Sequence, residues 1–242
     1  QEAAIPAVEN VRYYLRVDGF KGIGQDSQLV KLKASILPFQ IRSVQSAKGG
    51  NTGYATVLLK GGKFSPQMQI FLQRDTLLIP ADSLGFVDGT KAFARFNLLN
   101  QPLGLYTVRG LHPLGDTASW HYYEIEPGGP PDVVTFLRHP VSVTTRRRGP
   151  TTGVVPQLMT LDFENRGNTD IPIPYQPVRS VGGAPLSFSS GDLIGSQATE
   201  LQVPLLELEG PQAYLRAGAK GSMVIWVNWA GKPMFFAVEK IK

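Results

Sequence analysis

Gln67-Met-Gln-Ile-Phe-Leu-Gln73 places Met68, Ile70 and Leu72 at every second position, with Gln67, Gln69 and Gln73 between them. Residues two apart share a face only on an extended chain, so this spacing predicts a strand with one buried side. Val30, Leu32, Ala34 and Ile36 repeat the pattern against Lys31, Lys33 and Ser35, as do Tyr13, Leu15 and Val17. Near the end, Met223, Ile225, Val227 and Trp229 alternate with Ser222 and Asn228, and Met234, Phe236 and Val238 follow after Gly231-Lys-Pro233. That pair reads as a closing hairpin.

Turn residues enforce the same conclusion. The chain holds 26 glycines and 19 prolines in 242 residues, and no stretch free of both exceeds 13 residues. Long helices do not fit. Short strands separated by turn residues predict an all-β chain of antiparallel sandwiches rather than a parallel sheet with crossover helices. At roughly 150 residues per domain the length suits one large or two medium domains. Pro127-Gly-Gly-Pro-Pro131 marks a boundary, because proline lacks an amide donor and fixes φ while glycine weakens a ladder. A softer break at Leu37-Pro38 separates residues 1–37, with about two strands, too few for an independent sandwich. The organisation expected is thus a leading strand segment, 1–37, then sandwiches over 38–127 and 128–242.

Composition excludes several classes of function. There is no cysteine, which removes disulfide scaffolds, thiolate chemistry and Cys-based metal sites. The net charge of +5 divides into excesses of +1, +2 and +2 over the three segments, so no segment concentrates the basic field that nucleic-acid binding needs. No apolar run approaches the ~18 residues of a membrane span. Gln1-Glu-Ala-Ala-Ile-Pro6 lacks the basic and apolar regions of a signal peptide, so any targeting segment is expected to have been removed or to lie outside this sequence.

Two resemblances sharpen the fold. Gly49-Gly50, the strand Tyr54-Ala-Thr-Val-Leu-Leu59, the turn Gly61-Gly-Lys-Phe64 with Pro66, and Ala92-Phe-Ala-Arg-Phe96 leading to Pro102-Leu-Gly104-Leu-Tyr-Thr-Val108 make residues 38–126 resemble the TIG/IPT type of immunoglobulin-like module. Met159, Leu161 and Phe163 before Glu164-Asn-Arg-Gly-Asn168, with Leu215-Arg-Ala-Gly218 ahead of the last strands, make residues 132–242 similar to the CARDB class of immunoglobulin-type domain. The insert Ile171-Pro-Ile-Pro-Tyr-Gln-Pro177 departs from a plain version of that class and leaves the later strand order open. Tyr13-Tyr-Leu-Arg-Val17 and Leu29-Val-Lys-Leu-Lys33 are similar to the final strands of the bacterial pre-peptidase C-terminal sandwich. These resemblances imply a large secreted or cell-surface bacterial protein. Independently of them, Phe64 and Tyr106 are expected to fill a thin sandwich core.

The sequence carries no recognisable catalytic or cofactor constellation. His112, His121 and His139 are isolated and lack metal-ligand spacing. Ser187, Ser189 and Ser190 sit in a Gly/Ser-rich loop without a nucleophile elbow, and Gly19, Gly22 and Gly24 lack the strand-turn-helix context of a phosphate loop. Glu124 with Glu126, and Glu207 with Glu209, share strand faces as a glycosidase pair would, but polar outer faces explain them more simply. Asp162, Asn165, Asn168 and Asp170 lack the spacing of a calcium loop and read as hydrogen-bonded turn residues.

Two surface features suit binding. Arg146, Arg147 and Arg148 form a compact cationic point for an anionic partner, such as a sulfated glycan, a lipopolysaccharide phosphate or an acidic protein; the ordinary alternative is a solvated loop. Strand alternation puts Trp120 and Tyr122 on one face, where they suit stacking on a sugar ring, unless core packing takes them. The expectation is a non-enzymatic pair of sandwich modules serving spacing and contact with a protein or cell-surface polysaccharide, without cofactor. The alternatives are a carbohydrate-binding accessory module of a secreted enzyme, or a hydrolase with separated carboxylates.

Overall fold

The computed structural model describes residues 11–14, 37–138, 156–228 and 236–238. These are built from strands, with one short 3-10 turn at Asp192–Ile194. No helix among them is long and apolar enough to cross a membrane. The predicted strands at 30–36 and 15–17 lie outside the described residues, and Val11–Tyr14 carry no strand.

Nine strands make the first unit: Gln40–Gln45 (β1), Lys48–Gly50 (β2), Tyr54–Gly62 (β3), Gln69–Arg74 (β4), Leu77–Pro80 (β5), Ser83–Asp88 (β6), Lys91–Asn97 (β7), Gly104–Leu111 (β8) and Thr117–Glu126 (β9). They form a sheet ordered β1-β3-β7-β6 and a second ordered β2-β9-β8-β4-β5. All pairs are antiparallel except β2 with β9, which is parallel. Between the sheets, Met68, Ile70, Leu72, Ala55, Val57, Leu59, Phe96, Val108 and Ile125 close one core. Phe64 and Tyr106 enter it as expected. The Tyr106 hydroxyl donates to the carbonyl of Pro102 at 2.7 Å, four residues upstream, in the manner of a tyrosine corner.

Nine strands follow among the described residues: Val133–Arg138 (β10), Pro156–Asn165 (β11), Ile171–Pro172 (β12), Tyr175–Ser180 (β13), Leu186–Ser187 (β14), Glu200–Pro204 (β15), Tyr214–Leu215 (β16), Lys220–Asn228 (β17) and Phe236–Val238 (β18). A sheet β10-β11-β17-β14 faces a sheet β15-β13-β18, and β12 pairs with β16. Met159, Leu161, Phe163, Val178, Val203, Leu205, Ile225 and Val227 form a second core. Alternation is clear along β11, where Gln157, Met159, Leu161, Phe163 and Asn165 are buried and the residues between them are not.

One expectation needs correction, and one point left open is filled in. The closing hairpin does not form among the described residues, residues 229–235 lying outside them: β17 pairs with β11 and β14, whereas β18 crosses to the opposite sheet and pairs with β13. The apolar alternation in both segments is the same whichever sheet receives them, so sequence could not tell a hairpin from a crossover. The proline-rich insert yields strands on both sides, since Pro172 lies in the two-residue β12 and Pro177 pairs opposite Gln202 on β15.

Tyr123 carries a cost. Its hydroxyl is buried without a hydrogen-bond partner among the described residues, and burial pushes its pKa up. Removing an unsatisfied buried hydroxyl is close to neutral or stabilising. Tyr123→Phe is therefore expected to unfold in urea at the wild-type midpoint or above it. Phe96→Ala, which empties a fully buried ring site beside Tyr123, is expected to cost about 3–5 kcal/mol. A large loss in Tyr123→Phe, or a small one in Phe96→Ala, would contradict this description of the core.

Candidate functional site

The outer face of β3 and β7 is not solvated. Ala55–Leu59 are buried in succession, as are Ala92–Ala94, because the second unit covers the side of these strands that faces away from the first core. The cover is the turn after β11. Asn165 is fully buried and its Nδ2 donates to the carbonyls of Thr169, Leu215 and Arg216 at 3.2, 3.3 and 3.1 Å. Its Oδ1 accepts from the Gly167 amide at 3.0 Å. These bonds mould the turn, so that Asn168 and Asp170 reach the first unit. The Gly50 amide donates to the Asn168 carbonyl at 2.6 Å, and the Asp170 amide donates to the Tyr54 carbonyl at 2.8 Å. A side chain at Gly50 would have its Cβ 2.4 Å from Asn168 Oδ1, so the approach requires glycine.

Asp170 is the centre of the junction, with its side chain 1% exposed. Oδ1 accepts from the Thr56 amide at 3.0 Å and the Ala217 amide at 3.2 Å, and Oδ2 accepts from Thr56 Oγ1 at 2.6 Å. Arg95 Nε lies 3.5 Å from Oδ2, with the guanidinium 4.0 Å from the ring centroid of Tyr54 and 4.2 Å from that of Tyr214. A cation from the first unit is thus held between a ring of each unit. Burial raises the Asp170 pKa above its ordinary value, and the Thr56 and Ala217 hydrogen bonds and the Arg95 charge oppose the rise. Beside this centre, buried Arg216 makes a two-pronged contact with Glu207 at 2.6 and 2.5 Å and donates to Ser46 Oγ at 2.9 Å. Lys91 pairs with Glu209 at 2.5 Å.

A second place of interest is the outer face of β4, β8 and β9. Gln73 pairs with Thr107, and Arg109 pairs with Phe71 on one side and Ser119 on the other. Gln73 Nε2 donates to the Asp75 carbonyl at 3.1 Å, and Gln73 Oε1 accepts from Arg109 Nη1 at 2.7 Å. Thr107 Oγ1 lies 3.0 Å from His121 Nδ1. Together with Arg74 and Leu105 these residues line an open depression of about 470 Å³.

The expected aromatic pair is separated by a bulge. Tyr106 pairs with Tyr123 but Val108 pairs with Trp120, so Thr107 faces two residues of β9 and the register shifts. Trp120 packs against the first core, whereas Tyr122, at φ 82°, is 75% exposed and edge-on to His121 at 6.2 Å. The shared face expected of Trp120 and Tyr122 is therefore absent, because a bulge adds one residue to the alternation. Arg146, Arg147 and Arg148, with His139, lie outside the described residues. Glu124 and Glu126 do share a face, and Lys48 reaches both at 3.2 Å. Glu207 and Glu209 do not lie on a strand; they sit in the loop before β16 with different partners. His112 packs on Phe39 at 5.2 Å. Asp162 bonds Ser222 and Arg138 on β11, away from the turn that Asn165, Asn168 and Asp170 occupy, and no group of metal-ligating side chains occurs among the described residues.

Comparison with known proteins adds no relative: no family model matches the chain, and no curated protein matches it.

The junction gives a pH prediction with a definite sign. A carboxyl whose folded pKa is raised binds its proton more readily when folded, so its contribution is fully present below the unfolded value, ordinarily 3.8, and is lost as pH rises through the folded value. Asn does not titrate, so the unfolding free energy of wild type minus that of Asp170→Asn is expected to fall as pH rises from below 3.8 to neutrality. Asp170→Ala, which strands Arg95 and the donors of Thr56, is expected to cost about 3–5 kcal/mol at neutral pH. Denaturant titration of the three proteins at several pH values checks both, and a difference that grows with pH would contradict the direction.

Proposed function

We propose that the chain is a non-catalytic pair of β-sandwich modules from a secreted or cell-surface bacterial protein, serving to set distance and orientation and to make contact at a surface. The observation that carries this reading is the junction. Asp170 is withdrawn from water and half-buried Arg95 lies against it, holding one sandwich against the other, and Arg216 with Glu207 and Ser46 adds a second tie. Such a contact suits a spacer whose geometry must not drift. The carboxylate pairs that a hydrolase would use are engaged elsewhere, by Lys48 on Glu124 and Glu126, by Arg216 on Glu207 and by Lys91 on Glu209. The resemblances to TIG/IPT and CARDB modules agree with this reading. A second reading, a carbohydrate-binding accessory module, is favoured by the polar depression on β4, β8 and β9.

Because the chain has no cysteine, two introduced ones can be spin-labelled without background. Labels at Leu114→Cys on the first unit and Val181→Cys on the second, both at exposed positions, report the distance between the sandwiches. A single narrow distance distribution is expected, broadening when Asp170→Ala is added. A broad distribution in the otherwise wild-type protein would overturn the spacer reading, as would measurable turnover of a substrate abolished by Glu124→Gln.

A further inference from the structure

The depression on the outer face of the five-stranded sheet has a composition that ordinary solvation does not require. Its lining holds two guanidinium groups, Arg74 and Arg109, with His121, against one carboxylate, Asp75. Neither arginine forms an ion pair among the described residues, although every acid of the junction and of β9 has a cation. Arg109 is also pre-set. Gln73 anchors on the Asp75 carbonyl and holds one arm of the guanidinium before a ligand arrives, while among the described residues its other N–H donors make no side-chain hydrogen bond. Arg74 is held by the Leu103 carbonyl at 2.5 Å and stands 5.1 Å from the Tyr106 ring.

The surrounding groups select the kind of anion. Gln73, Thr107 and Ser119 offer donors and acceptors on one open face, which matches hydroxyl groups that do both. Leu105 is the sole apolar lining residue, so the site lacks the pockets that a peptide's side chains would fill. The depression is shallow, which suits a chain lying across it. Next to the lining residue His121, and edge-on to it at 6.2 Å, the β9 bulge turns Tyr122 out to 75% exposure at a positive φ, a strained conformation for a non-glycine residue and one that leaves a ring open for stacking on a sugar.

We propose that this face binds an acidic polysaccharide, with Arg109 gripping a uronate carboxylate, Gln73 positioning Arg109, Thr107 and Ser119 meeting hydroxyls, and Tyr122 stacking on a neighbouring residue. The inference rests on the contact half of the proposed function and gives it a ligand class. It is tested by titrating the full chain with a uronic-acid hexasaccharide, the same oligosaccharide with its carboxyls methyl-esterified, and an acidic hexapeptide of equal charge. Binding of the first alone is expected. Arg109→Ala should weaken it at least tenfold and Tyr122→Ala severalfold, while Arg166→Ala, which removes the same charge from the second unit, should leave it unchanged. No binding, equal binding of the peptide, or an equal loss in Arg166→Ala would overturn the proposal. A spin-label distance that stays narrow in that event would leave the spacer reading standing, so the two fail separately.

Discussion

A carboxylate removed from water costs several kcal/mol unless donors and an opposite charge replace its hydration. At Asp170 the replacements come from both sides of the junction: Thr56 and Arg95 from the first sandwich, the Ala217 amide from the second. Neither unit alone can satisfy this group. Arg95 is likewise covered from both units, its faces by Tyr54 from its own sheet and Tyr214 from the other, although its Nε finds no hydrogen-bond partner among the described residues. The two cores are separate apolar clusters, but the polar contact between them is shared, and that sharing gives the pair one orientation. Hydrophobic contact alone would permit sliding; directional bonds to a fixed carboxylate do not.

This arrangement divides the surface into roles. The outer side of β3 and β7 is consumed by the second unit, and there apolar and aromatic residues are buried on both faces of the sheet. The outer side of β4, β8 and β9 remains open and carries arginine, glutamine and hydroxyl side chains instead. On the proposed spacer reading, the junction would keep that open sheet face pointing in a constant direction.

The fold was largely legible because its signal is local. Alternation at Met68, Ile70 and Leu72, and at Met159, Leu161 and Phe163, needs only neighbouring residues to be read, and the structure places all six in cores. What depended on distant partners was not legible. The bulge at His121 and Tyr122 adds one residue to β9, and no residue type there announces it, so Trp120 and Tyr122 read as one face when they are not. The crossing of β18 to the opposite sheet is likewise invisible to periodicity. The junction did leave a trace: unbroken apolar runs such as Ala92-Phe-Ala94 and Val57-Leu-Leu59 are the mark of strands covered on both sides. Asp170 itself looked like an ordinary turn residue, since its partners lie more than a hundred positions away at Thr56.

Calorimetry of the intact chain bears most directly on the claim that one buried ionic centre unites the two sandwiches. If it does, heating gives a single transition whose calorimetric and van't Hoff enthalpies agree, because neither unit can leave without exposing the other's charged partners. Two resolved transitions, or a calorimetric enthalpy about twice the van't Hoff value, would show that the sandwiches melt independently and would contradict the account.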